Sequence, residues 1–268
     1  MSEAYPGVKW VQADMNNLLS LRKAFTGADI VFGMTNFFEQ DILAKVAEGD
    51  MDAEFVQGKN IVDAAISEGV ESLIYSGLDS MEQLSDGKYT GVVHFEGKYK
   101  VEKYLLSKSH CIKGYVIYLG SYMQNYTNPN FTHISVDDMQ TIEFSFPYSP
   151  TTLLPFVDPA SDTGPVVKYI LDHPNECLGS PIEVSGGYYE AQDMAAAYSK
   201  ATGKPARYVQ TSYKSAGSED FVQMFEGIGE FGLFGGRTAF IDRNKKMDYT
   251  FITPVQFWKN KKWAGPLQ

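Results

Sequence analysis

Two rhythms of apolar residues alternate along this chain, one with the period of a strand and one with the period of a helix. Residues 7–14 alternate and end on Asp14, as a strand leading into a loop does. Asn16 or Asn17 is placed to cap a helix over residues 18–25, which Gly27 stops. Residues 29–35 form a short apolar run of the fully buried kind. A polar, aromatic loop over residues 36–40 precedes helical sequence, whose longest part covers residues 55–67 and closes at Gly69. Residues 72–77 read as a buried strand, residues 92–105 as an amphipathic helix and residues 111–118 as a further strand. Strand, helix, strand and helix in this order imply βαβ units and a parallel sheet.

The helix over residues 92–105 organises the reading. His94 and Lys98 lie four residues apart, one turn above the other, on the face that Val101 and Leu105 turn inward. An inward lysine is costly unless a polar partner waits for it. Ligands on parallel sheets lie beyond the carboxyl ends of the strands. The polar residues just past those ends are therefore the candidates: Asp14, Thr35 and Asn36, Ser76 and Gly77, Gly120 and Ser121.

After residue 128 the pattern is irregular and rich in proline and aromatics. Short strands are expected at 142–146, 153–157, 181–185 and 206–211, and helices at 163–171, 191–201 and 221–225. The glycine-rich stretch 227–236 is expected to break the last helix. The fold class is thus α/β, a doubly wound parallel sheet over residues 1–127 with a smaller α+β lobe over residues 128–268 that closes over the sheet edge.

Composition narrows the function classes. With 268 residues, 44% hydrophobic and 21% charged, the chain has the make-up of a globular protein. Its net charge of −10 argues against direct binding to nucleic acid, and the lysines at 259, 261 and 262 read as a solvated tail. No apolar run approaches the roughly 20 residues of a membrane span, and the first residues lack the marks of a signal peptide. Cys111 and Cys177 make neither a disulfide framework nor a metal-ligand spacing, so no metal site and a reducing compartment are expected, the cytoplasm first and the nucleus as the alternative.

Several segments resemble the NmrA-like family, atypical members of the short-chain dehydrogenase/reductase superfamily. They are Val11-Gln12-Ala13-Asp14-Met15, Thr35-Asn36-Phe37-Phe38-Glu39, Gln57-Gly58-Lys59-Asn60-Ile61-Val62-Asp63-Ala64-Ala65, Ile74-Tyr75-Ser76-Gly77-Leu78 and His94-Phe95-Glu96-Gly97-Lys98. The resemblance implies a Rossmann-like fold and binding of NADP or NAD. It places Asp14, Met15, Thr35, Asn36, Phe37, Lys98, Tyr118, Gly120 and Ser121 around the cofactor, and Lys98, His94 and Ser76 at the chemistry. In the superfamily a tyrosine four residues before the lysine transfers the proton. Here His94 stands in that place, and a histidine can serve as an acid near neutral pH. The bland alternative is a surface-facing histidine and a lysine bound to a loop carbonyl or carboxylate. The literal Tyr99 and Lys103 pair is rotated by roughly 140° around the helix and reads as a decoy. Tyr118 and Leu119 replace the Arg-Pro of the family, and Asp158 and Asp162-Thr163-Gly164 resemble its Asp-x-Gly, with Asp162 expected to cap a helix.

The family's opening strand, glycine-rich turn, helix and second strand have no counterpart in this sequence. The turn would hold the pyrophosphate at a helix N-terminus, so cofactor binding is expected to be weak or absent. Gly227-Ile228-Gly229-Glu230-Phe231-Gly232 spells Gly-x-Gly-x-x-Gly but lacks a preceding strand. Without those strands, residues 8–12 are expected to pair directly with residues 30–32, the alternatives being a loose segment or a second chain in the groove. Two functional readings follow. One is a regulatory or redox-sensing protein with a degraded dinucleotide site that works through a protein partner or a second copy of itself. The other is an oxidoreductase that reduces a small carbonyl or quinone with NADPH. A third case is a shortened product of a longer protein.

Overall fold

The computed structural model describes residues 7–266. In chain order the regular elements are α1 (Leu18–Phe25), β1 (Ile30–Gly33), α2 (Gln40–Ala47), α3 (Ala53–Ser67), β2 (Ser72–Gly77), α4 (Met81–Leu84), α5 (Val93–Ser107), β3 (Lys113–Leu119) and β4 (Ser121–Tyr122). They continue with β5 (Thr132–Ile134), β6 (Ile142–Phe146), β7 (Leu153–Val157), α6 (Pro159–Asp172), β8 (Ile182–Val184), β9 (Tyr188–Glu190), α7 (Asp193–Thr202), β10 (Ala206–Gln210), α8 (Glu219–Phe231), α9 (Ala239–Asn244) and α10 (Pro254–Lys261). The principal sheet has four strands in the order β1-β2-β3-β8, and its β1–β2 and β3–β8 pairings are parallel. This is the α/β fold with a parallel sheet and flanking helices that the alternating pattern predicts.

The chain divides into two compact units. The first holds the described residues up to 77, with 97–116 and 178–180; the second holds 78–96, 117–177 and those from 181 onward. In the first unit, Asn17 caps α1 by accepting from the Ser20 amide at 3.1 Å, and Gly27 takes the left-handed turn (φ +77°) that ends it. Asn60 of α3 donates to the Met15 carbonyl at 2.9 Å, tying the entry of α1 to that helix. The helices α3 and α5 approach closely at Gly58, where a Cβ would lie 2.2 Å from Val101 Cγ2. Val101 and Leu105 are fully buried, as their positions on the inward face of α5 require.

Two expectations fail in this unit. Residues 8–12 form no strand, and Val8, Trp10 and Val11 are each more than half exposed. Direct pairing with residues 30–32 is therefore wrong, and among the described residues β1 is the edge of its sheet. Nor is β1 buried throughout. Val31 and Gly33 pack inward, Gly33 against Ile61 and Leu73, while Ile30 and Phe32 are 45% and 42% exposed. A strand is buried on both faces only when helices cover both.

The second unit carries the β3–β8 pairing and two three-stranded sheets, β10-β6-β5 and β4-β7-β9. Asp158, not Asp162, caps α6, accepting from the Ala160 amide at 3.2 Å. Asp162 lies buried in the first turn, where it accepts from the Asp158 and Ile252 amides and the Tyr249 hydroxyl. Burial holds its carboxyl above the ordinary value. The helix α8 runs through Gly227 and Gly229 and ends only at Gly232, so the literal Gly-x-Gly-x-x-Gly is helix rather than a phosphate loop. Gly227 is there because a Cβ would meet Met81 Sδ at 2.5 Å.

The close approach of α3 and α5 sets a test. Alanine has the better helix propensity by about 1 kcal/mol. The clash with the stiff, branched Val101 opposes it with an overpacking cost of roughly 1–3 kcal/mol. Gly58→Ala is expected to lower the urea midpoint, and an unchanged or raised midpoint contradicts the packing described.

Candidate functional site

Lys98 meets its partner within the first unit. Its ammonium forms an ion pair with Glu54 Oε1. Glu54 stands in the first turn of α3 and is 2% exposed, and the Lys98 side chain is 15% exposed. The same Oε1 accepts from Thr35 Oγ1 at 2.8 Å, and Thr35 Oγ1 lies 2.9 Å from the Tyr75 hydroxyl. Thr35 has one hydroxyl proton and gives it to Glu54, so Tyr75 donates to Thr35. Burial pushes the Tyr75 phenol well above its ordinary value and keeps it a neutral donor. The result is a buried chain, Tyr75 to Thr35 to Glu54 and back from Lys98, anchored on β2, the loop after β1, α3 and α5.

The other candidates of this unit are held separately. Asp14 Oδ1 accepts from the Asn16 amide, and the Asp14 amide donates to Ser20 Oγ, so both groups organise the entry to α1. Met15 offers its carbonyl to Asn60. Asn36 closes a local turn by accepting from the Phe38 amide at 3.2 Å. Phe37 is buried and meets Phe38 edge-on, with ring centroids 5.5 Å apart. Ser76 is the penultimate residue of β2 and is partly buried.

In the second unit His94 is buried rather than surface-facing. Its Nδ1 faces Asp220 Oδ1, its amide donates to Asp220 Oδ2 at 3.4 Å, and its ring packs 5.6 Å from that of Phe221. Asp220 opens α8, and the same helix reaches the chain before α5 twice more. Gln223 accepts from the Gly91 amide at 2.8 Å, and Glu230 accepts from the Tyr89 hydroxyl at 2.9 Å. Tyr118 is buried on β3. The amide of Gly120 donates to the Val184 carbonyl at 3.1 Å, and a Cβ there would lie 1.9 Å from the Pro155 carbonyl oxygen. Only glycine fits at that position. Ser121 pairs with Phe156 in the small parallel ladder of β4 and β7.

Of the residues assigned to a cofactor, Thr35 and Lys98 are thus brought together, and a carboxylate brings them. As a pair they do not fit a dinucleotide: the lysine's charge is cancelled and the threonine's proton is committed. Glu54, Tyr75 and Asp220 escaped the sequence reading. Glu54 and Asp220 look like ordinary acids of a helix's first turn, and Tyr75 like one more apolar strand position. Among the described residues no group of His, Cys, Asp and Glu could hold a metal ion.

Thr35→Val tests the chain, because it removes the donor to Glu54 and the acceptor for Tyr75 while keeping the volume. Leaving such groups unmet costs about 1–3 kcal/mol, which urea unfolding would show as a lower midpoint. A midpoint equal to that of the native chain contradicts the hydrogen bonding described.

A model of the NmrA-like family matches residues 2–260. The chain is 28% identical over 256 residues to the NmrA-like family domain-containing oxidoreductase ptmS of Penicillium ochrochloron, covering 90% of this chain and 75% of that protein. It is 27% identical over 213 residues to the nitrogen metabolite repression protein nmrA of Emericella nidulans, covering 78% of this chain but 56% of that one. The crystal structure of NmrA, a negative transcriptional regulator in complex with NAD, superposes with a TM-score of 0.75 at 21% identity, over 96% of this chain and 81% of that one. With the parallel sheet described above, these likenesses show that the chain belongs to the NmrA-like family.

Proposed function

We propose that this chain is an NmrA-like regulatory or redox-sensing protein that acts through protein–protein contacts and does not turn over a dinucleotide. The observation that carries the reading is the burial of Lys98 against Glu54. In the chemistry that the resemblance implies, a free ammonium lowers the pKa of the neighbouring acid and holds the nicotinamide ribose. An ammonium cancelled by a buried carboxylate gives no net field for the first task. Exposed Ile30 and Phe32 on the edge strand β1, beside Met34, supply apolar surface of the kind that partners cover. One relative is named for nitrogen metabolite repression, which suits the same reading.

The decisive assay mixes the chain with NADPH or NADH and a panel of small quinones and carbonyls, and follows dihydronicotinamide absorbance. No protein-dependent oxidation is expected. Turnover that survives purification and is lost in His94→Ala overturns the regulatory reading.

One observation favours the second reading, an NADPH-dependent oxidoreductase. The Asp220 carboxylate lies against Nδ1, which leaves Nε2 as the nitrogen that would exchange a proton with a substrate. An aspartate so placed orients a histidine for proton transfer. The relative ptmS is named an oxidoreductase. This reading predicts a measurable quinone or carbonyl reductase rate that Asp220→Asn lowers by about 100-fold. An Asp220→Asn rate equal to that of the native chain removes the dyad from the account.

A further inference from the structure

Glu54 is supported more elaborately than a structural ion pair needs. Its Oε1 takes two donors, whereas its Oε2 is buried with no hydrogen-bond partner. One turn further along α3, Gln57 Oε1 is also buried and unmatched. On α5, Gly97 makes room for the carboxylate: a Cβ there would lie 3.0 Å from Glu54 Oε2. An orphaned carboxylate oxygen costs stability, and apolar side chains of similar size would fill such a place at least as well. Its position is better explained by what it does to Lys98.

We infer that Glu54 is an internal ligand of Lys98 that keeps the lysine from external ligands, so that a dinucleotide using Lys98 must first loosen the pair. The inference rests on the reading of Lys98 as the residue a dinucleotide ribose would use. The carboxylate is held from three elements besides its own helix: by Thr35 after β1, by Tyr75 of β2 through Thr35, and by Lys98 of α5. The same contact commits the Thr35 proton, so two positions that would serve the cofactor are closed by one side chain. Weak binding in this chain then has a cause within its own residues. It is reversible in kind, because neutralising Glu54 removes the charge that holds Lys98, at a cost in stability since the buried ammonium loses its partner. A partner or a change that draws the start of α3 away from α5 would have the same effect.

The test is calorimetric titration of the full chain with NADPH and with NADH, for the native protein, Glu54→Gln and Thr35→Val. Glu54→Gln keeps the shape and an acceptor for Thr35 but removes the charge. It is expected to bind at least tenfold tighter than the native chain, whereas Thr35→Val, which keeps the Glu54 charge on Lys98, is expected to gain nothing. Equal or weaker affinity in Glu54→Gln overturns the inference, as does absence of binding by all three proteins at millimolar cofactor. Should Glu54→Gln fail to fold, the acylation rate of Lys98 relative to Lys103 in the native chain decides. Amine acylation read by peptide mass spectrometry gives a ligand-free check. Native Lys98 should label more slowly than exposed Lys103, and several-fold faster in Glu54→Gln. Equal labelling of Lys98 and Lys103 in the native chain overturns the closure. Turnover by the native chain would defeat the regulatory reading of the preceding section, while the affinity ratio alone judges Glu54.

Discussion

The pairing of Lys98 with Glu54 is the interaction on which the account depends. Both groups are largely removed from water, and an ion pair in such a place holds only while both partners remain. It joins the first turn of α3 to α5. The glycines that line this contact, Gly58 against Val101 and Gly97 against Glu54 itself, allow the two helices to come that close. Packing and polar chemistry therefore specify the same approach, and neither would be satisfied at a wider spacing. The family resemblance makes Lys98 a cofactor residue; the geometry makes it first a partner of α3.

The helix α5 carries two inward polar residues, and each is met by an acid from the first turn of another helix. Lys98 meets Glu54 of α3, and His94 meets Asp220 of α8. Acids favour helix N-termini because the backbone amides there are unmatched, so such carboxylates are at hand without special placement. The lysine is paired with a buried carboxylate. The histidine keeps a carboxylate against one ring nitrogen.

Much of this was legible in the sequence. The inward face of α5 follows from helical spacing alone, and the cost of burying Lys98 there pointed to a polar partner before any partner was known. The alternating strands and helices gave the parallel sheet. The identity of the partner was not legible, because Glu54 lies 44 residues away and resembles any first-turn acid. The burial of β1 was misjudged for a related reason. An apolar run shows that a strand can be covered, but coverage depends on neighbours elsewhere in the chain, and Ile30 and Phe32 have too few. The course of α8 through Gly227 was hidden likewise, since glycine as a helix breaker and glycine as a seat for Met81 read alike until Met81 is placed.

The central claim is that Glu54 and Lys98 are energetically coupled. A double-mutant cycle measures this directly, with urea unfolding of the native chain, Glu54→Leu, Lys98→Met and the double variant. Each single variant strands a buried charge and should lose about 3–5 kcal/mol, while the double variant, with an apolar pair in its place, should recover most of that loss. A double variant whose loss equals the sum of the two singles would show that the residues act independently and would contradict the account.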